Sequence, residues 1–322
     1  MTGLPLQVIA RPTRQENFTP AAALERLGLR GDRIAFGLAG LGGAWGPVDA
    51  GLAHETLRLA MEFGLGVFDA APAYGTAEKL LGEALASWRG ERPVVSTKVG
   101  RLAARNGLEL KFDYSSAGLR DSLRRSLDTL GLPVVDLLFL HEPFYVPREE
   151  RARVVGVLRQ LQADGLTRRL GLAGGHGEGW DGYIEAGGFD VVMLFRRLDA
   201  CILEGLKDDV PRLHRAGVAT YGASPLHMGL LGGRYEEFVR DRPEWIWPEP
   251  INRAVRLHVL AEKNGLTLPS LAHRFLFSTA EVDRVVIGPR TPGEVTAALA
   301  DFSAGPLPAG LFAEISSLTL SS

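Results

Sequence analysis

Val67-Phe68-Asp69-Ala70-Ala71-Pro72-Ala73-Tyr74-Gly75 is an apolar run that delivers a carboxylate and, five positions later, a phenol. A strand that ends in Asp and breaks at Ala-Pro-Ala-Tyr-Gly reads as a strand running out into a loop that carries reactive groups. Alone, the stretch also admits a plainer reading, with Asp69 opening a helix cap and Tyr74 packing as an aromatic. The flanks decide between them. An amphipathic helix pattern over Ala77–Trp88 follows, and then a second apolar run, Pro93–Lys98.

Outward from this unit the alternation continues in both directions. Before it stand a turn at Leu27–Asp32, read as a hairpin, a strand Arg33–Leu38 and a helix pattern over Val48–Phe63. After it come helix Ser116–Leu130, strand Val134–His141, helix Arg148–Ala163, strand Arg169–Ala173 and a weak helix ending at Ala186. Strand Phe189–Phe195, helix Leu203–Ala216, strand Gly217–Gly222, helix Asn252–Asn264, strand Arg284–Gly288 and helix Pro292–Ala300 complete the series. Eight strands, each followed by a helical segment, predict parallel pairing through right-handed crossovers and a closed α/β barrel, the (β/α)8 TIM barrel. An open doubly wound sheet is the runner-up. The glycine-rich Gly40–Gly46 follows the first strand but does not fit G-x-G-x-x-G, and no acidic strand end follows at the distance that motif requires. No linker divides the chain, so a single domain is expected: an N-terminal extension and hairpin (1–32), a barrel (33–300) and a C-terminal segment (301–322).

Thirty-six Lys and Arg against 38 Asp and Glu leave a formal charge of −2, with no basic run dense enough to track a phosphate backbone, so nucleic acid is not an expected partner. Cys201 is the sole cysteine, which rules out an intrachain disulfide and a cysteine metal cluster. Neither a secretory h-region over Met1–Thr13 nor an apolar run of membrane-spanning length is found, and a cytoplasmic protein without membrane contact is expected.

In such a barrel the C-terminal strand ends converge on one mouth, between loops such as the longer insertions Gly100–Ser115 and Ser224–Pro250. Strand two ends in Asp69 with Tyr74 in its loop, strand three in Lys98, and strand four in His141. Singly, Lys98 reads as a solvated strand end and His141 as a satisfied histidine before Glu142-Pro143. Apolar strands, however, have no structural need to end in an acid, a phenol, an ammonium and an imidazole together. Metal-assisted hydrolysis on the same barrel needs several ligands at strand ends, and only His141 and His176 of the seven histidines follow strands closely.

Phe68–Gly75, Ser96-Thr97-Lys98 and Leu123–Gly131 running into Val135–His141 together resemble the aldo-keto reductase family, from about Leu27 to Ala300. The resemblance implies transfer of a hydride between a nicotinamide cofactor and a small-molecule carbonyl or sugar, with no metal. It makes Tyr74 the general acid in reduction and the base in oxidation, with Lys98 favouring its phenolate, Asp69 keeping Lys98 charged, and His141 bonding the substrate oxygen. It also places Ser224, Leu226 and Gly229 on the loop that wraps the pyrophosphate, and Gly288 and Arg290 at the adenosine end. Two departures stand out. Ala173-Gly174 replaces a Ser-Asn pair that holds the carboxamide in many relatives, and Glu294 stands where an Arg often grips a phosphate. NAD or NADP is therefore implied; Glu294 tips the reading toward NAD, while Arg290 would suit a 2′-phosphate.

Phe112–Ser115, Ala223–Leu231 and Pro243-Glu244-Trp245 resemble the aldose dehydrogenase branch, of L-galactose or L-fucose type, which oxidises a sugar at its anomeric carbon. The alternative is a nicotinamide-binding regulatory subunit of a membrane channel with little turnover. Arg196-Arg197, at the end of strand six, would either grip an anionic substrate group or pair with Asp199 and the barrel wall.

Overall fold

The computed structural model describes residues 22–103, 111–175, 177 and 179–320. Eight parallel strands close into a barrel: β1 (Ile34–Gly37), β2 (Val67–Asp69), β3 (Val94–Val99), β6 (Val135–His141), β7 (Thr167–Ala173), β8 (Val191–Phe195), β9 (Ala219–Ala223) and β10 (Arg284–Ile287). The two remaining strands, β4 (Arg101–Leu102) and β5 (Lys111–Phe112), form a small antiparallel hairpin over the mouth, inside the Gly100–Ser115 insertion.

Register fixes which side chains look inward. Asp69 pairs with Ser96, and Lys98 pairs with Phe139. Because side chains alternate along a strand, Asp69, Ser96, Lys98, Phe139 and His141 all share the inner face. Much of the rest of that face is apolar, with Ala35, Val67, Leu137, Val191, Met193, Ala219, Tyr221 and Val286 packed as one cluster inside the barrel, and buried Arg284 donates to the Tyr221 hydroxyl at 2.6 Å. The outward residues of the same strands, such as Phe68, Val95, Leu138 and Leu140, pack in the larger cluster with the surrounding helices. Barrel strands buried on both faces read as continuous apolar runs, which is why they were legible.

The turn at Leu27–Asp32 differs from the expected hairpin. A short helix, Ala22–Arg26, precedes it, and Leu29 N–H returns to Leu24 O at 2.9 Å with Gly28 at φ 70°, which is a helix C-terminal turn. The reason is the open lower end of the barrel: Leu24 and Leu29 plug it, and Arg284 ties the segment down by donating to Asp32 O and Leu29 O. The rest of the N-terminal extension lies outside the described residues.

Besides Ala22–Arg26, three α-helices have no counterpart in the sequence reading: Tyr235–Asp241, Leu268–Ser278 and Ala309–Leu320. Leu268–Ser278 carries a start signal that could have been read, a Thr267 N-cap accepting from Ser270 N–H with Pro269 in the first turn. The helix expected from Asn252 begins at Pro248, and the one expected over Leu203–Ala216 is a π turn at Gly205–Asp209 running into Val210–Arg215. No helix among the described residues is long and apolar enough to cross a membrane.

Candidate active site

The inner-face register brings the ends of β2, β3 and β6 together below the mouth. Lys98 is fully buried and donates to Asp69 Oδ2 at 2.5 Å and to Ala70 O at 3.0 Å. Ser96 donates to the other Asp69 oxygen at 2.7 Å, so both carboxylate oxygens are held. Tyr74 is partly buried, with Lys98 Nζ 4.8 Å from its ring centroid, and His141 meets it edge-on with ring centroids 5.5 Å apart. All four strand-end groups therefore occupy one small volume, as their spacing implied.

The electrostatics depart from expectation at Tyr74. Burial, reinforced by the Asp69 carboxylate and opposed by Arg101, holds the phenol well above its usual range, so it keeps its proton. The ammonium expected to favour phenolate is buried too, and burial pulls the Lys98 pKa down against the pull of Asp69 and Glu78. With two of its three N–H groups held by Asp69 and Ala70, Lys98 faces the Tyr74 ring as a cation. His141 is pushed well below its usual value by burial and then by Lys98 and Arg101, so its imidazole is neutral. A protonated phenol beside a neutral imidazole is a pair of proton and hydrogen-bond donors suited to an oxygen that gains negative charge.

The glycine-rich loop after β1 seats this group. Thr76 N–H donates to Gly42 O at 2.9 Å, and a Cβ on Gly42 would come within 2.0 Å of Tyr74 O. No side chain fits there without moving the Tyr74 loop. Gly42→Ala is expected to lower turnover by about 100-fold, the scale of an ångström-sized misplacement of a reacting group. Steady-state kinetics beside a melting curve check this, and an unchanged kcat in folded protein would refute it.

At the opposite side of the mouth, the loop after β9 bends through left-handed backbone at Ser224 (φ 65°), His227 (φ 46°), Met228 (φ 60°) and Gly229 (φ 102°). Non-glycine residues held this way mark a constrained, functional loop. Ser224 Oγ accepts from Met228 N–H at 3.1 Å, and fully buried His227 joins Asp199 at 2.7 Å, bracing the loop against the one after β8. Asp199 is thus taken by His227 and not by an arginine. Arg197 pairs with Asp209 at 2.8 Å, and Arg196 donates to Trp245 O at 3.1 Å. Sequence reasoning had no signal for the His227–Asp199 pair, whose members lie 28 residues apart.

Beyond β10, Arg290 N–H donates to Glu294 at 2.7 Å, and its guanidinium donates to Pro47 O at 3.2 Å. Thr291 caps the helix Pro292–Ser303 and leaves Glu294 in its first turn. Ser224–Gly229, with left-handed backbone at four positions, and Arg290, with its cation, are the residues here that would offer contacts to the anionic backbone of a dinucleotide. The carboxylate beside Arg290, in contrast, opposes a further phosphate there. Among the described residues no three His, Cys, Asp or Glu side chains are grouped to hold a metal ion, and His176 lies outside them.

Comparison with known proteins agrees with this geometry. The sequence model of the aldo/keto reductase family matches residues 33–319. The chain is 27% identical over 329 residues to D-threo-aldose 1-dehydrogenase of Pseudomonas sp, covering 94% of this chain and 97% of that one. It is 29% identical to L-galactose dehydrogenase of Arabidopsis thaliana, covering 85% of each. Among solved structures, an aldo-keto reductase from Bacillus halodurans in its holo form superposes with a TM-score of 0.76 at 20% identity, covering 91% of this chain and 93% of that one.

Proposed function

Since the chain belongs to the aldo/keto reductase family and is an NAD(P)-dependent oxidoreductase, we propose that it oxidises an aldose at the anomeric carbon or reduces an aldehyde or ketone. The observation that carries this reading is the inward quartet of Asp69, Tyr74, Lys98 and His141, with the Lys98–Asp69 pair buried beneath the phenol. The aldose class is supported by the two sugar-oxidising relatives. They are named as enzymes, and the channel-subunit alternative gains no support from them.

The nicotinamide supplies or accepts the hydride. Ser224, Leu226 and Gly229 would lie along its pyrophosphate, and Gly288 and Arg290 at its adenosine end. In reduction, neutral His141 donates a hydrogen bond to the carbonyl oxygen and fixes its direction, and Tyr74 delivers the proton as that oxygen becomes a hydroxyl. Lys98, fixed by Asp69, keeps positive charge under the phenol and stabilises the phenolate left behind. In oxidation the same groups act in reverse, and Tyr74 must first lose its proton. An enzyme holding that phenol above its usual range therefore oxidises faster as pH rises, while its reduction shows no loss from Tyr74 across neutral pH.

NADH formation or loss, followed with L-galactose, L-fucose, pyridoxal and a plain aldehyde, tests the reaction; silence with every substrate and either cofactor overturns it. For the cofactor we favour NAD, because Glu294 lies against Arg290. Glu294→Ala is expected to move the kcat/KM ratio toward NADP by about tenfold, the worth of ~1.4 kcal/mol of removed repulsion. A ratio that stays put, or wild-type preference for NADP, refutes this choice.

A further inference from the structure

We propose that Arg101 and Glu142 form a hydroxyl-recognition pair that selects neutral, polyhydroxylated substrates over plain or anionic ones. This rests on the carbonyl–alcohol reading above and names its substrate class. Arg101 stands three residues past Lys98, and Glu142 directly follows His141, so each leaves the end of a strand that also supplies the inner quartet. Both side chains are mostly covered, at 24% and 19% exposure, and they approach at 3.7 Å between Nη1 and Oε1. That gap is wider than a hydrogen bond, which leaves room for a hydroxyl to donate to the carboxylate and accept from the guanidinium. Their fields reach the reacting groups, since both charges act on Tyr74 and Arg101 also acts on His141.

Glu142 is held in place at a cost in backbone strain. Its backbone is left-handed, with φ 54° and ψ 56°. Its N–H donates to Ala173 O at 2.8 Å, and Tyr114 donates its hydroxyl to Glu142 O at 2.7 Å and to His141 O at 2.9 Å. Gly175 N–H supports the carboxylate, whose pKa burial raises against Arg101 and that bond. The carboxylate lies on Gly174, where a Cβ would come within 2.5 Å of Oε2. The Ala173-Gly174 departure thus has a physical content: the missing side chain at Gly174 makes the space that Glu142 fills.

The same wall carries aromatic faces. Phe112 stacks on Tyr145 with centroids 4.5 Å apart, and Tyr145 and Phe144 are 46% and 63% exposed. Carbon-bound hydrogens of a sugar pack on such faces while its hydroxyls need paired donors and acceptors. The pair is neutral overall, because each charge offsets the other, so it offers a keto acid or a sugar phosphate no net positive charge to bind.

Selectivity tests this without relying on absolute rate. In NADH-dependent reduction, kcat/KM for glyceraldehyde and erythrose over propionaldehyde and butyraldehyde should exceed tenfold in the wild type. In Glu142→Gln and in Gly174→Ala, whose new methyl displaces the carboxylate, that ratio should fall at least tenfold, mainly through KM. An equal loss for both classes, or no preference in the wild type, overturns the pair. If no aldehyde is reduced and no aldose is oxidised with either cofactor, the reaction reading fails separately. Calorimetric binding of L-galactose to wild type and Glu142→Gln then decides the pair, which is overturned if the two bind alike.

Discussion

Tyr74→Phe is expected to abolish measurable hydride transfer, with kcat lowered by about 1,000-fold and cofactor affinity unchanged. A positioned proton donor contributes roughly 100- to 10,000-fold, and the phenol here is positioned between Lys98 and His141. Removing one oxygen leaves the ring, its packing and the cation beneath it in place, so stability should hardly move. Stopped-flow or steady-state NADH absorbance with fluorescence titration of the cofactor checks both halves. A variant within tenfold of wild type would leave Tyr74 without its acid–base role. The pH profile gives an independent sign: the phenol stays protonated well past its usual pKa of about 10, so wild-type oxidation should rise through the alkaline range, and Tyr74→Phe should flatten that rise.

Asp69→Asn is expected to destabilise the protein by about 3–5 kcal/mol, the usual cost of leaving one partner of a buried ion pair unpaired. Lys98 has 1% side-chain exposure and Asp69 4%, so no water can replace the lost carboxylate. The neutral amide still reaches Lys98 and Ser96 in shape, which isolates the charge from the packing. Urea unfolding measures the loss, and adding Lys98→Met should recover part of it, because the double variant no longer buries a lone cation. A single variant that loses less than about 1 kcal/mol, or a double variant with no recovery, would contradict the account. Activity should fall in both.

The quartet was legible because each member sits at or just beyond the end of an apolar strand, and the period of two along β2, β3 and β6 carries Asp69, Lys98 and His141 to one face. Barrel closure was legible from the count of alternating units. Glu142 and Arg101 were not, although both stand beside recognised residues. Glu142 acquires meaning only from its left-handed backbone and the empty space at Gly174, and Arg101, after the left-handed Gly100, only from its approach to Glu142. Nor was the protonation of Tyr74 readable. The family resemblance implied that the Lys98 ammonium would favour phenolate, whereas burial is the largest influence on the Tyr74 phenol.

By itself, then, the sequence determined the order of elements, the inward residues and the chemical types at the mouth, because local periodicity and strand-end identity are properties of the chain. Tertiary structure decided how those groups are charged, how the N-terminal segment plugs the barrel, and which distant side chains meet, as His227 does Asp199 and Glu142 does Arg101. Those outcomes depend on burial and on distances between loops from different strands, and neither quantity exists until the barrel closes.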